Sequence, residues 1–598
     1  MHKWSHFPLI LTGACFFLTP LLSVAEDMTP QDPSSSAVPE RLEYVDDPPL
    51  APALPVPGAP PAERRSFGGV THVQVNVAPN GSNVPGDAAN EPSLAVDPTN
   101  PLLMAIGWRQ FDNVASNFRQ GGIGYSIDGG RNWTFPGVLT PGTFRSDPVL
   151  SFDKEGNFTY NSLEGNFTTD VFTSTDGGET WGDPVFAHGG DKQWMTTDRT
   201  DGVGEGHIYS YWTGNSNFTR STDQGQSFES PSPISQSPRW GTMEVDEDGT
   251  LYTVGANSSL SGFLVSRSTD AQDPNDPATS FTTSSVDLGG TVSYFTGPNP
   301  NGLLGQAWIG IDKSTGPNGG NIYIACTVDP SGSDPVDMHF VRSTDGGQNW
   351  SAPLRLNDDA GNNWQWMGTM AVSPDGRLDA VWIDTRNTGQ QNMGQLFHTQ
   401  STDGGLTWSA NEQLSSTWNS HVGWPNQEKI GDYYHMRSDL VGCDLAWANT
   451  LNGEQDVYHT RIGDYDCNQN GIGDSEEIDG GAPDSNGNGI IDECEGIVTE
   501  VVELEVEGGA LASSPNPFAN ETTIRFYMPS EGGRVRAGIF TPDGQLAKGL
   551  LDDIVPGGPN EVTWDGTDAA GERVPAGIYF FSLSVGGRKD ARRLILLK

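Results

Sequence analysis

Ser126-Ile127-Asp128-Gly129-Gly130-Arg131-Asn132-Trp133 is the stretch on which the reading of this chain turns. Its frame is a Ser, an Asp two residues on, a Gly and then an aromatic. The frame returns at Ser174 to Trp181, Ser221 to Phe228, Ser343 to Trp350 and Ser401 to Trp408, with a decayed copy at Ser268-Thr269-Asp270. Each copy reads as a β-hairpin turn. The Asp carboxylate accepts hydrogen bonds from backbone N–H groups in the turn, the glycine takes positive φ without a Cβ clash, and the aromatic folds back beside the hairpin. Recurrence of one such unit along a chain signals an array of similar supersecondary elements.

The composition fits an array of turns. The 598 residues include 75 Gly and 42 Pro alongside 17 Trp and 25 Phe, which points to an all-β protein of many short strands. Lys+Arg number 32 against 77 Asp+Glu, a net charge of −45. That balance excludes a basic stripe for nucleic acid and electrostatic docking on anionic membrane. A second recurring unit, an apolar strand, a turn and another apolar strand, appears at Pro92–Trp108, Pro148–Leu163, Trp194–Trp212, Trp240–Ala256, Ala307–Thr327, Trp366–Ile383 and Tyr434–Asn449.

The Ser-x-Asp-x-Gly turn resembles the Asp-box, or bacterial neuraminidase (BNR) repeat, of the sialidase-like β-propellers, over roughly two thirds of the chain. The resemblance implies that the boxes lie between the third and fourth strands of each blade, and that Asp128, Asp176, Asp223, Asp345 and Asp403 are structural. Sialidases have six blades; the seven strand–turn–strand units here favour seven, with the Thr71–Val77 strand joining the last blade. The fold expected is therefore an all-β chain: a seven-bladed, or else six-bladed, β-propeller, then a calcium-binding connector and a small β-sandwich.

In a propeller the residues just before each first strand line one mouth of the central channel. On that geometry the candidate catalytic groups are Glu91, Asp147, Asp384, Asp432 and Tyr433, since glycoside cleavage needs two carboxyls flanking the bond. Arg109, Arg239, Arg386, Trp108, Trp194, Trp240 and Trp366 are the candidate substrate-binding groups, flat rings offering stacking surfaces for sugars. Other readings stand beside these: the tryptophans pack between blades, and Asp384 with Arg386 forms a salt-bridged pair. The sialidase arginine and tyrosine motifs find no match; the nearest, Phe144-Arg145-Ser146-Asp147-Pro148, has the wrong spacing. Two functions remain open. The first is a glycan-acting or glycan-binding propeller, a glycoside hydrolase or polysaccharide lyase if it is an enzyme. The second is a non-catalytic surface adhesion or scaffold protein with a protein partner.

Residues 465–496 carry two loops of one pattern. Asp466, Asn468, Asn470, Asp474 and Glu477 in the first, and Asp484, Asn486, Asn488, Asp492 and Glu495 in the second, place oxygen ligands at positions 1, 3, 5, 9 and 12 around a Gly at position 6. This is calcium-loop chemistry, with calcium as a structural ion. The six residues between the loops leave no room for paired EF-hand helices, and the segment resembles thrombospondin type-3 or dockerin calcium repeats, with the helical portions of a dockerin absent. Cys467 and Cys494 bracket this segment and are placed to pair; Cys326 and Cys443 are then left, paired or as buried thiols.

At the N-terminus Lys3, the apolar run Phe7 to Leu22 and Ser23-Val24-Ala25 read as a secretory signal cut after Ala25. No other run is long enough to span a bilayer. Residues 26–69 are a Pro-rich tether and 70–464 the Asp-box region. Residues 510–598 alternate as a small β-sandwich. Ser514-Pro515-Asn516-Pro517-Phe518, Trp564-Asp565-Gly566 and Ala576-Gly577-Ile578-Tyr579 resemble the immunoglobulin-like domain of flagellar hook-capping proteins and the C-terminal sorting domain (T9SS C-terminal domain) of type IX-secreted proteins. The resemblance implies a secreted or cell-surface location, with secretion or anchoring machinery as partner.

Overall fold

The computed structural model describes residues 47–48, 59–276, 279–495, 512–528, 533–541, 546–585 and 588–597. The expected signal peptide and the greater part of the expected tether lie outside the described residues. Almost all regular structure is β-strand, paired antiparallel. No helix among the described residues is long and apolar enough to cross a membrane.

Seven antiparallel sheets follow one another between residues 64 and 463. Their first strands are Ala88–Val96, Arg145–Phe152, Trp194–Thr197, Met243–Val245, Trp308–Ile311, Gln365–Val372 and His435–Ser438. Each strand–turn–strand unit of the sequence coincides with the first two strands of one sheet. The first strands are buried along most of their length, as strands covered on both faces must be, whereas outer strands such as Thr134–Leu139 mix exposed and half-buried positions. Each first strand lies against that of the next sheet, and His435–Ser438 of the seventh lies against Ala88–Val96 of the first. Val70–Gln74, from the beginning of the described chain, is the fourth strand of the seventh sheet, with Thr71 opposite Arg461 and His72 opposite Thr460.

The Asp turns begin at the last residue of a third strand: Ser126, Ser174, Ser221, Ser343 and Ser401, with Ser268 for the decayed copy. In the first copy Ser126 Oγ donates to Asp128 Oδ1 (2.8 Å) and accepts from Gly130 N (2.9 Å), while Asn132 N donates to Asp128 Oδ1 (2.8 Å). Trp133 Nε1 donates back to Gly130 O (3.0 Å). The decayed copy keeps the Ser268–Asp270 bond (2.6 Å) and sends Asp270 to Ser280 N (3.0 Å). First and third strands of an antiparallel sheet run in the same direction, so the Asp turns lie at the end where the first strands finish.

The seventh third strand, Asp456–Gly463, leads into residues 465–495, the segment expected to bind calcium, where an Asp turn would otherwise stand. In the C-terminal region, Ala512–Ser514, Thr522–Met528 and Gly558–Trp564 form one sheet, and Leu546–Val555, Gly533–Phe540, Gly577–Val585 and Arg588–Leu596 another. Phe518, Ile524, Ile539, Trp564, Phe581 and Leu594 from both share one core.

Candidate functional site

At the end where the first strands start, Glu91, Asp147 and Asp432 come together with Arg109, Lys192 and Lys429 among them. Lys192 Nζ is 2.6 Å from Asp432, 3.4 Å from Asp147 and 3.9 Å from Glu91. Lys429 Nζ is 2.7 Å from Asp432 and 3.3 Å from Glu91, and Arg109 is 3.2 Å from Glu91. All six side chains are at most 1 % exposed. Burial pushes the Glu91 carboxyl well above the usual carboxylate range, against the pull of Arg109, Lys192 and Lys429. Glu91 (φ 51°) and Asp147 (φ 47°) sit at register shifts of their strands, and Lys192 has φ 55°, left-handed geometry that a non-glycine residue holds only when its surroundings impose it.

These acids were expected at an open mouth; the structure covers them. A hairpin between the fourth and fifth sheets, Tyr294–Thr296 with Asn299–Leu303, lies over this end. Asn299 Nδ2 donates to Gly431 O (2.7 Å), Leu303 N to Asp432 Oδ1 (2.7 Å), and Ser420 Oγ to Pro298 O (3.0 Å). No periodicity announces such a cover.

Tyr433 is buried beside this cluster and donates to Pro148 O (2.7 Å). The remaining sequence candidates are dispersed. Asp384 belongs to a separate network, accepting from Gln365 Nε2 (3.1 Å), Trp382 Nε1 (2.9 Å) and Arg386 Nε (2.9 Å). Arg239 is tied by its backbone to Ala256. Trp108, Trp240 and Trp366 are fully buried against Phe135, Tyr294 and Trp418. Trp194 lines a cavity.

That cavity, of about 450 Å³, opens where the first strands finish. Trp194, Trp308 and His435 pack together within it, the two indoles edge-on at 5.0 Å and His435 at 5.4 and 5.5 Å from them. Glu244 is 2.7 Å from Lys313 and 3.2 Å from Arg199. Burial alone would raise the Glu244 carboxyl, but Lys313, Arg199 and Arg437 outweigh it and hold it down to about 2. Arg199 and Arg437 share the Phe152 ring, their guanidinium carbons 4.7 and 4.9 Å from its centroid. Arg199 Nη1 and Arg437 Nε are buried without a hydrogen-bond partner. Burial and the neighbouring Arg199 lower Arg437 to about 10. Four further acids line the cavity: Asp439 and Asp444 both pair with Arg461, Asp97 accepts from Thr99 N, and Asp466 accepts from Asn470 N.

Sequence reasoning missed this cluster because it inspected residues preceding the first strands. Glu244 and Arg437 lie on first strands, and Arg199 and Lys313 lie just past the ends of theirs. Charges recurring where first strands finish were the signal available.

The residues expected to bind calcium are hydrogen-bonded within each loop. In the first loop Asp466 accepts from Asn470 N (3.0 Å) and Gly471 N (2.9 Å), and the Asn468 and Asn470 amides turn to Glu477 (3.3 and 2.9 Å). In the second, Asp484 accepts from Gly489 N (2.9 Å), and Asn486 and Asn488 reach Glu495 (3.0 and 2.7 Å). Asp474 Oδ2 is buried without a hydrogen-bond partner, with Arg131 Nη2 at 3.6 Å. This all-oxygen donor set suits a hard cation. The sequence reading had no helices here; short ones, Asp474–Asp479 and Asp492–Glu495, begin at position 9 of each loop and include position 12. Cys467 and Cys494 form a disulfide, and Cys326 and Cys443 are buried free thiols.

No family model matches the chain, and no curated protein matches it. Solved structures resemble it distantly. A protein of unknown function from Dyadobacter fermentans is 14% identical with a TM-score of 0.38, over 68% of this chain and 99% of that one. An alpha-L-arabinofuranosidase of Fusarium graminearum in complex with arabinobiose is 12% identical with a TM-score of 0.36, over 67% and 98%. PorZ, a surface component of the type IX secretion system of Porphyromonas gingivalis, is 12% identical with a TM-score of 0.28, over 85% and 70%. Likenesses at this level assign no chemistry to the chain.

Proposed function

We propose that residues 64–463 form a closed, seven-bladed Asp-box propeller that binds an extracellular glycan carrying an acidic group, in the cavity where the first strands finish. One observation carries this reading: Arg199 and Arg437 share the Phe152 ring and both line the cavity beside Lys313. Two adjacent guanidiniums with an ammonium beside them suit a carboxylate or sulfate. Trp194 and Trp308 add apolar surface for a sugar ring.

The chain binds its glycan without cleaving it. Glu244 is ionised and neutralised by Lys313 and Arg199, whereas glycoside hydrolysis needs a second, protonated carboxyl beside it. The six-charge cluster at the opposite end is a lock that joins the sheets. We further assign calcium to the Asp466–Glu477 and Asp484–Glu495 loops, where it would cancel carboxylate repulsion. The C-terminal β-sandwich is assigned to export or surface attachment, after secretion directed by residues 1–25.

A glycan array probed with the full chain tests the reading. Binding is expected on uronate- or sulfate-bearing glycans and absent from their neutral counterparts, with loss of signal in folded Arg437→Met. Binding that ignores ligand charge, or survives that substitution, would count against it, and turnover of a chromogenic glycoside would refute the non-cleaving role.

A further inference from the structure

The cavity is not walled by the sheets alone. Asp466, at position 1 of the first calcium loop, and Gln469 of the same loop both line it. Gln469 Nε2 donates to Pro98 O (3.0 Å), and Pro98, in the turn after the first strand of the first sheet, is also a lining residue. One loop therefore offers a carboxylate to a cation on one side and surface to the cavity on the other.

The loop is fastened to the sheets at several points. Asp466 follows almost directly on Gly463, the end of a buried strand. Leu102 from the first sheet packs in one buried cluster with Cys467, Ile490 and Ile491. Arg131, inside the first Asp turn, donates to Gly489 O (2.6 Å), reaches Asp474 at 3.6 Å and lies 3.7 Å over the Tyr465 ring. The segment that sequence reading treated as a connector is docked onto the sheets.

We infer that the cavity is a composite, calcium-dependent binding site, in which the first calcium loop is a wall and its loaded form is the binding-competent one. The inference rests on the cavity being the ligand site and on calcium at the Asp466–Glu477 loop. In the structure Asp466 accepts from the Asn470 and Gly471 N–H groups, and Glu477 accepts from the Asn468 and Asn470 amides. Without a cation, Asp466, Asp474 and Glu477 repel one another and the loop loosens, Gln469 releases Pro98, and the wall is lost. A cation that binds the ordered loop selectively stabilises that wall, and by reciprocity a cavity ligand raises calcium affinity at the first loop.

The test uses the full chain, stripped with a chelator and titrated with calcium. Hydrogen exchange is read over residues 97–103, and calorimetry follows calcium and digalacturonic acid. Calcium is expected to slow exchange at 97–103 and to tighten digalacturonate binding at least tenfold. Glu477→Gln in the first loop should abolish both effects, while Glu495→Gln in the second leaves them. Gln469→Gly is the decisive variant: Gln469 has φ 58°, which glycine adopts freely, and it is not a calcium ligand. It should bind calcium as the parent does yet lose the protection at 97–103. The inference fails if calcium does not bind, if it binds without changing exchange there, or if Gln469→Gly keeps the full coupling. Failure of digalacturonate to bind, with exchange responding as described, would instead overturn the acidic-glycan reading and leave the calcium-built wall standing.

Discussion

Lys192 Nζ stands 2.6 Å from Asp432 Oδ2, bridging the third and seventh sheets at the end where their first strands start. The pair is fully buried, and the same ammonium lies 3.4 Å from Asp147 of the second sheet. One side chain thus ties three separate sheets. Removing one partner of a buried ion pair strands the other charge in low dielectric, at a cost of about 3–5 kcal/mol. Lys192→Met is expected to lower stability by that order, read as a fall in urea midpoint. Lys192→Met with Asp432→Asn should recover part of the loss, because it leaves one fewer uncompensated carboxylate. A single variant as stable as the parent would show that the cluster holds nothing together.

The Asp turns should be graded in their tolerance. Asp223 accepts from Ser227 N (2.9 Å), Ser227 Oγ and Ser221 Oγ (2.8 Å), and these bonds hold its carboxyl below the ordinary range against the opposing effect of burial. Hydrogen bonds to a charged group contribute about 1.5–3 kcal/mol, and water replaces part of that at a half-buried turn. Asp223→Ala should therefore cost about 1 kcal/mol. Gly130 has φ 77°, and a Cβ there would meet the His459 ring at 2.2 Å. His459 is itself fixed between Gly130 O and Asp444. Gly130→Ala should destabilise more than Asp223→Ala in the same denaturation series; the reverse order would contradict this account.

The repeating local chemistry was legible in the sequence. Ser126, Asp128 and Gly130 solve one short backbone problem, so their spacing announces the turn, and seven alternating units announce seven sheets. Burial at a sheet junction is not local. Glu91 and Asp147 lie near the starts of first strands, where sequence alone suggests an open mouth, but the cover over them comes from Asn299 and Leu303, whose sequence reads as an ordinary Gly/Pro loop. Arg199, Glu244 and Lys313 escaped notice, and Arg437 stood out only as an arginine outside any motif, for the complementary reason: each is an unremarkable surface charge in its own segment, and only the meeting of four sheets makes them a cluster. The calcium-loop pattern could be read as a candidate because its five oxygen-bearing positions fall within one twelve-residue stretch. The contact of that loop with Pro98 could not, since it joins distant parts of the chain.

Arg131 joins the first Asp turn to the calcium segment through Gly489 O, Asp474 and the face of Tyr465. A guanidinium that is stacked and hydrogen-bonded at once is poorly replaced by an ammonium. Arg131→Lys should loosen the segment without unfolding the sheets. In chelator, limited proteolysis is expected to cut the variant faster than the parent within residues 480–483, between the two loops, while calcium protects both. Equal cleavage rates in chelator would mean that Arg131 does not hold the segment.

Glu244 sets the acid limit of the cavity. Lys313, Arg199 and Arg437 overcome the penalty of burial and hold its carboxyl at about 2, against an unfolded value of 4.5. A carboxyl depressed on folding stabilises the folded state fully above its unfolded value, and that contribution drains away as pH falls toward the folded one. The window is therefore from about pH 4.5 down to about pH 2. At 1.36 kcal/mol per unit, the ionised group contributes about 3 kcal/mol above the window, and its side chain is only 15 % exposed, so solvent screening removes little. Glu244→Gln should be less stable than the parent by that order at pH 6, and the two urea midpoints should converge as the pH approaches 2. The same substitution leaves Arg199, Lys313 and Arg437 without their carboxylate, so digalacturonate should bind it more tightly at pH 6 than it binds the parent. A stability gap independent of pH would show that Glu244 acts through packing, and weaker digalacturonate binding would show that it holds the cations in place for the ligand.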